Sequence, residues 1–214
     1  MQVTGDEAPT QPPDPTRSVA AAARREQIIA AAVAVLAESG YGRTTFERIR
    51  QHAGISSTRL ISYHFGTRDD LMEAVLIDVA LQAQRAIATR VAEARTPTEA
   101  LTARIEAQLG WIAEHPAAVR AMYEISMNAR DAAGALRYGV EASAEANVAD
   151  LEPILAAGQR TGEFRAFDTV LMALTLKSAI DAATVRLTRP PRLTLDECIR
   201  EITGLALRAT RRDP

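Results

Sequence analysis

Ser57, Thr58, Arg59, Ser62, Tyr63 and His64 fall within eight consecutive residues and share one kind of chemistry. Small hydroxyls, a guanidinium and two hydrogen-bonding rings can reach base edges and phosphate oxygens, and they offer neither a nucleophile with its base nor a metal-ligand set. Positioning such a set takes a short helix with one buried face. The surrounding segment, residues 39–71, supplies it by reading as two short helices around a tight turn, followed at once by a third helix. Thr44, with Glu47 three residues on, has the pattern of a capping box, and Phe46 and Ile49 give the first short helix an apolar face. Gly54 provides a left-handed turn and Ser56 a cap for the second helix. Thr44, Thr45, Thr67 and Arg68 stand at helix N-termini, where free N–H groups also attract phosphate. The DNA-contacting set expected from the residues is therefore Thr44, Thr45, Ser56, Ser57, Thr58, Arg59, Ser62, Tyr63, His64, Thr67 and Arg68. Phe65 is expected inside, as an aromatic stapling one helix to the next. Arg17, Arg24 and Arg25 are open to either backbone contact or solvent.

The order Ser39-Gly40-Tyr41, Thr44-Thr45, Ala53-Gly54-Ile55-Ser56, Tyr63-His64-Phe65, Gly66-Thr67-Arg68 resembles the DNA-binding domain of the tetracycline-repressor (TetR) family of bacterial transcription regulators. The resemblance covers roughly residues 21–76. From Gly54 to Phe65 there is one residue more than the commonest family spacing. Counting forward from Gly54 makes Leu60 the buried apolar position, and counting back from Phe65 makes it Ile61, so the extra residue is expected near Thr58 to Ile61. The resemblance implies a homodimeric repressor on a near-palindromic double-stranded operator, with a ligand-binding and dimerisation domain beyond residue 76.

Charge is distributed to suit that reading. The 214 residues have a formal net charge of -2, yet residues 17–68 hold eight arginines against three acids. One basic end on an otherwise acidic chain is the layout of a protein that presents a face to phosphate. Four prolines within the first 15 residues, with no apolar anchor, predict a disordered arm over 1–17. A helix-turn-helix domain is expected over 18–66 and a helical ligand-binding and dimerisation domain over 67–214. From Ser18 onward the pattern is helical, with Ile29, Val33 and Leu36 lining one face of the first helix. Thr67 with Asp70, Thr96-Pro97-Thr98-Glu99, Pro116, Asp168 and Thr194 to Glu197 mark further helix starts, and a long helix is expected from near Asp131 to Gly158 or Gly162. The fold class is all-α with about nine helices.

Other chemistry finds little purchase. Gly40-Tyr41-Gly42 follows a helix and lacks the third glycine of a dinucleotide fingerprint. His52, His64 and His115 have no ligand spacing, so no metal is expected, and no cofactor or catalytic motif stands out. A lone Cys198, no apolar run of about 20 residues and no signal-peptide pattern predict a cytoplasmic protein without membrane contact. Trp111, Met122, Tyr123, Glu124, Met127, Asn128 and Phe164 are the residues expected to meet a small apolar or amphipathic effector, although each also suits core packing. Leu171, Leu174, Ala179, Ile199, Ile202 and Leu205, on the last two helices, are expected at the dimer interface. The competing readings are an activator or ligand-independent regulator, and a helical ligand-binding or scaffold protein without DNA; an enzyme comes last.

Overall fold

In a computed structural model, which describes residues 15–138, 140–190 and 192–212, the described residues form nine α-helices and no extended strand. The expected arm over 1–17 lies outside them as far as residue 14, and the Arg17 side chain is also outside. Helix α1 (Pro15–Ser39) opens on a proline, whose missing N–H costs nothing at a helix's first position. It buries Ile28, Ile29, Ala32, Val35 and Leu36, while Val33 is half-buried at the edge of that face. A single 3-10 turn, Tyr41–Arg43, leads into α2 (Phe46–Ala53), α3 (Thr58–Phe65) and α4 (Arg68–Val91).

The remaining helices are α5 (Pro97–Glu114), α6 (Pro116–Asn128), α7 (Val140–Thr161), α8 (Thr169–Thr188) and α9 (Leu195–Thr210). Their starts follow local chemistry. Thr67/Asp70 and Thr194/Glu197 form reciprocal capping boxes, Thr96 accepts from the Glu99 N–H ahead of Pro97, and Asp168 accepts from the Leu171 N–H. One start was misplaced: α7 begins at Val140, not near Asp131. The Asp131 carboxylate instead accepts from the N–H groups of Ala133 and Ala135, both at 2.9 Å, which closes a turn in which Arg130 bridges Leu136. Arg137, just beyond it, pairs with Asp69 at 3.0 Å and Glu73 at 3.6 Å, fastening this turn to the start of α4.

Two apolar clusters result. The first joins α1 to α4 with Trp111 and Ile112 at the end of α5 and with Ala121 and Ile125 of α6. The second gathers Leu101, Ile105 and Leu109 of α5 with residues of α7, α8 and α9. Leu187, near the end of α8, packs against both. Thus α5 is apolar along two different stretches, and α6 lies against α1, the Tyr41–Arg43 turn and α4.

Candidate nucleic-acid interface

Gly54 ends α2 in the left-handed region, φ 64°, which an L side chain adopts only with strain. The turn after it is held by Arg50. Its guanidinium donates to both Glu47 carboxylate oxygens, at 2.9 and 2.7 Å, and to the Ile55 carbonyl at 3.1 Å. These bonds keep the Glu47 carboxyl below the ordinary carboxylate range. Arg50 was not singled out from the sequence, and the only available signal was its i+3 spacing from Glu47.

The caps fall one residue later than expected. Thr45, not Thr44, accepts from the Arg48 N–H at 3.3 Å to cap α2, and Ser57, not Ser56, accepts from the Arg59 N–H at 3.1 Å to cap α3. With Thr45 as cap the third helical residue is Arg48, so no capping box forms there and Glu47 pairs with Arg50. With Ser57 as cap, α3 is a regular helix of eight residues, and the extra residue lies in the turn between Gly54 and Ser57, not near Thr58 to Ile61. Ile61 is fully buried and Leu60 only half-buried, which settles the register as that counted back from Phe65.

This register turns Arg59, Ser62 and Tyr63 outward. Tyr63 is 82% exposed, far more than an aromatic side chain needs for packing. Its ring meets that of His64 edge-on at 5.3 Å, and Thr58 and His64 are half-buried beside it. Phe65 is buried, with the Arg25 guanidinium over its ring at 5.1 Å. Arg24 donates to Gln27, which in turn donates to the Ala53 carbonyl, so these α1 residues brace α2. Ser56 is exposed in the turn and Ser57 half-buried at the cap.

The residues at the other helix ends divide. Thr45 and Thr67 are exposed, and the Thr67 hydroxyl both accepts from the Asp70 N–H and donates to its carboxylate. These bonds, the hydroxyl's first, hold Asp70 below its usual range, so α4 opens on a carboxylate of its own that disfavours phosphate at that terminus. Thr44 is 1% exposed and its hydroxyl donates to the Gly40 carbonyl at 2.9 Å. Arg68 donates to the carbonyls of Thr44 and Tyr41 and stacks on the Tyr41 ring at 4.1 Å. The Thr44 hydroxyl thus closes the loop between α1 and α2 on itself, and the Arg68 guanidinium ties that loop to α4.

The residues expected around an effector do not converge. Trp111 is buried and stacked on His115 at 4.5 Å, Phe164 is packed in the second cluster against Gly158, Met122 is half-buried, and Met127 and Asn128 are exposed. Only Tyr123 and Glu124 line a common hollow, a groove of about 770 Å³ between α6, the end of α8 and the connection to α9. Glu124 also accepts from the Tyr41 N–H at 3.0 Å. On α8 and α9, Leu171 is 64% exposed and Leu205 is also exposed, whereas Leu174, Ala179, Ile199 and Ile202 are half-buried. Val170 and Val185 extend the exposed apolar surface of α8. Among the described residues no group of three or more His, Cys, Asp or Glu could hold a metal, and no helix is long and apolar enough to cross a membrane.

Residues 28–75 match the model of a family described as bacterial regulatory proteins, tetR family. Over 67 residues, 31% of this chain, the sequence is 39% identical to the HTH-type transcriptional regulator BetI 2 of Chromohalobacter salexigens. Over 100 residues, 46% of this chain, it is 33% identical to the HTH-type transcriptional regulator BetI of Cronobacter sakazakii. These matches span 32% and 49% of the relatives' own lengths. The fold agrees over a longer stretch: a TetR-like transcriptional regulator from Rhodococcus sp. RHA1 superposes with a TM-score of 0.69 at 24% identity, over 87% of this chain and 95% of that one. The likeness to the tetR family of bacterial regulatory proteins is thus carried in sequence by the helix-turn-helix segment, residues 28–75, and beyond it by the fold alone.

Proposed function

We propose that this protein binds double-stranded DNA as a homodimer at a near-palindromic operator, represses transcription there, and is released by a small amphipathic effector. The observation that carries the reading is α3 itself. Ile61 and Phe65 bury one side of it, and Arg59, Ser62 and a Tyr63 that nothing among the described residues covers make up the other. A helix of eight residues contacts too few base pairs for useful affinity alone, so two copies related by a twofold axis, about 34–36 Å apart or a multiple of that, are needed. The exposed apolar strip of Val170, Leu171, Val185 and Leu205 on α8 and α9 is the surface on which we place the second copy. Residues 18–66 are read as the DNA module, 67–214 as the effector and dimer module, and the cytoplasm as the site of action.

Selection of bound sequences from a random DNA pool tests the reading. The expected result is a near-palindromic consensus. Tyr63→Ala and Arg59→Ala should then each weaken binding to it with unchanged thermal stability, since both side chains are exposed. Recovery of no consensus, or full binding by both variants, overturns the reading.

A further inference from the structure

The groove beneath α6 has a definite charge and a definite neighbour. Its walls are apolar, from Ile112, Val119, Leu187, Leu193 and the Tyr123 ring, and its rim carries Arg120, Arg189 and Arg192 against the single carboxylate of Glu124. Arg189 is held over the Tyr123 ring at 4.4 Å. Among the described residues, none of the three arginines pairs with a carboxylate within 4.0 Å. An apolar cleft of this size with a net positive rim is complementary to an organic molecule that is apolar at one end and anionic at the other.

Glu124 connects this groove to the DNA module. Arg120 and Glu124 lie one turn apart on the same face of α6. The Glu124 carboxylate reaches across to the Tyr41 N–H, and it also crowds the neighbouring Gly40, whose φ is 77° and where an added Cβ would lie 3.1 Å from Glu124 Oε2. The loop so fastened is the one whose Tyr41 and Thr44 carbonyls are held by Arg68, and its next residue, Thr45, caps α2. An anion drawn to Arg120 would repel the Glu124 carboxylate and weaken its hold on that loop.

We infer that the groove binds an amphipathic organic anion, and that Glu124 passes its presence to the loop that positions α2. The second half rests on the DNA-binding reading above. Equilibrium dialysis of the full chain against decanoate, decanol and decylammonium separates charge from chain, with the fluorescence of Trp111, the chain's one tryptophan and the neighbour of Ile112, as a second readout. Decanoate should bind about tenfold or more tightly than the other two, and Arg120→Gln, Arg189→Gln and Arg192→Gln together should abolish that preference while leaving decanol binding unchanged. Equal binding of decanol, or a preference that survives the triple variant, overturns the groove assignment. Glu124→Gln keeps an acceptor for the Tyr41 N–H but removes the charge. Decanoate should release the wild-type protein from its selected DNA, whereas the Glu124→Gln protein should bind decanoate and stay on DNA. Equal release of the two proteins, or bound decanoate without release of the wild type, overturns the relay. If the ligand-free protein binds no DNA at all, the proposed function fails and the relay with it, while charge-selective dialysis still supports the groove.

Discussion

Ser56 and Ser57 are adjacent, chemically identical, and separated by their roles. Only the Ser57 hydroxyl accepts from a helix N–H, so Ser57→Ala should destabilise the protein by about 1 kcal/mol and Ser56→Ala by only a few tenths. Chemical denaturation of the two variants measures the difference, and equal losses would return the cap to Ser56 and the extra residue to the helix. Gly158 supplies a second test at this scale. A Cβ placed there would lie 2.0 Å from the Phe164 ring, so Gly158→Ala must displace a buried aromatic and should cost about 1–3 kcal/mol in spite of alanine's better helix propensity. The serine choice was not legible from residue types. It depends on which of two phases the helix takes, and Ile61 and Phe65 decided that by filling the core together.

At the scale of elements, α4, α5 and α9 each begin near a carboxylate held by donors. Thr67 lowers Asp70, Thr98 lowers Glu163 next to the start of α5, and the Thr194 N–H and hydroxyl lower Glu197. A depressed carboxylate contributes stability that is fully present above its unfolded value, about 4, and is lost as pH falls through the lower folded value. Fraying of these helix starts is therefore expected only below about pH 4, seen as faster amide exchange there, and Thr194→Val should move the onset for α9 upward. Loss of α9 ends at pH 5 or above in the unaltered protein would contradict this. The last two helices also set the test of assembly. Ile202 is half-buried against the second cluster, so a charge there disturbs the fold, while Leu171 and Leu205 are exposed. Leu171→Glu with Leu205→Glu should give folded monomers by sedimentation that lose operator binding, and a persistent dimer would move the interface off this strip.

For the whole molecule, the count of arginines overstates the charge offered to DNA. Of the eight between residues 17 and 68, Arg50 and Arg68 are bonded within the module, Arg24 donates to Gln27 of its own helix and Arg25 lies over the Phe65 ring. Arg43, Arg48 and Arg59 are exposed. If those three meet phosphate in each copy of a dimer, the logarithm of affinity should fall with the logarithm of salt at a slope on the order of -5. A slope near about -9 or steeper would show that more arginines than these three meet phosphate in each copy.

The all-helical class, the helix-turn-helix and most helix starts were determined by the sequence itself, because apolar periodicity, capping residues and turn glycines act through neighbours a few residues away. Thr67, Thr96, Asp168 and Thr194 each cap the helix their neighbours announce. What required the tertiary structure were the choices between equivalent local options and the partners distant in sequence. Thr44 could not be known as buried, nor Arg68 as a clasp on the Tyr41 loop, until α4 was laid against that loop. Glu124 reads as a helix-surface carboxylate in sequence, yet it bonds a backbone N–H 83 residues away and lines a groove with the end of α8. Such contacts are specified by how the helices pack, and no local pattern encodes them.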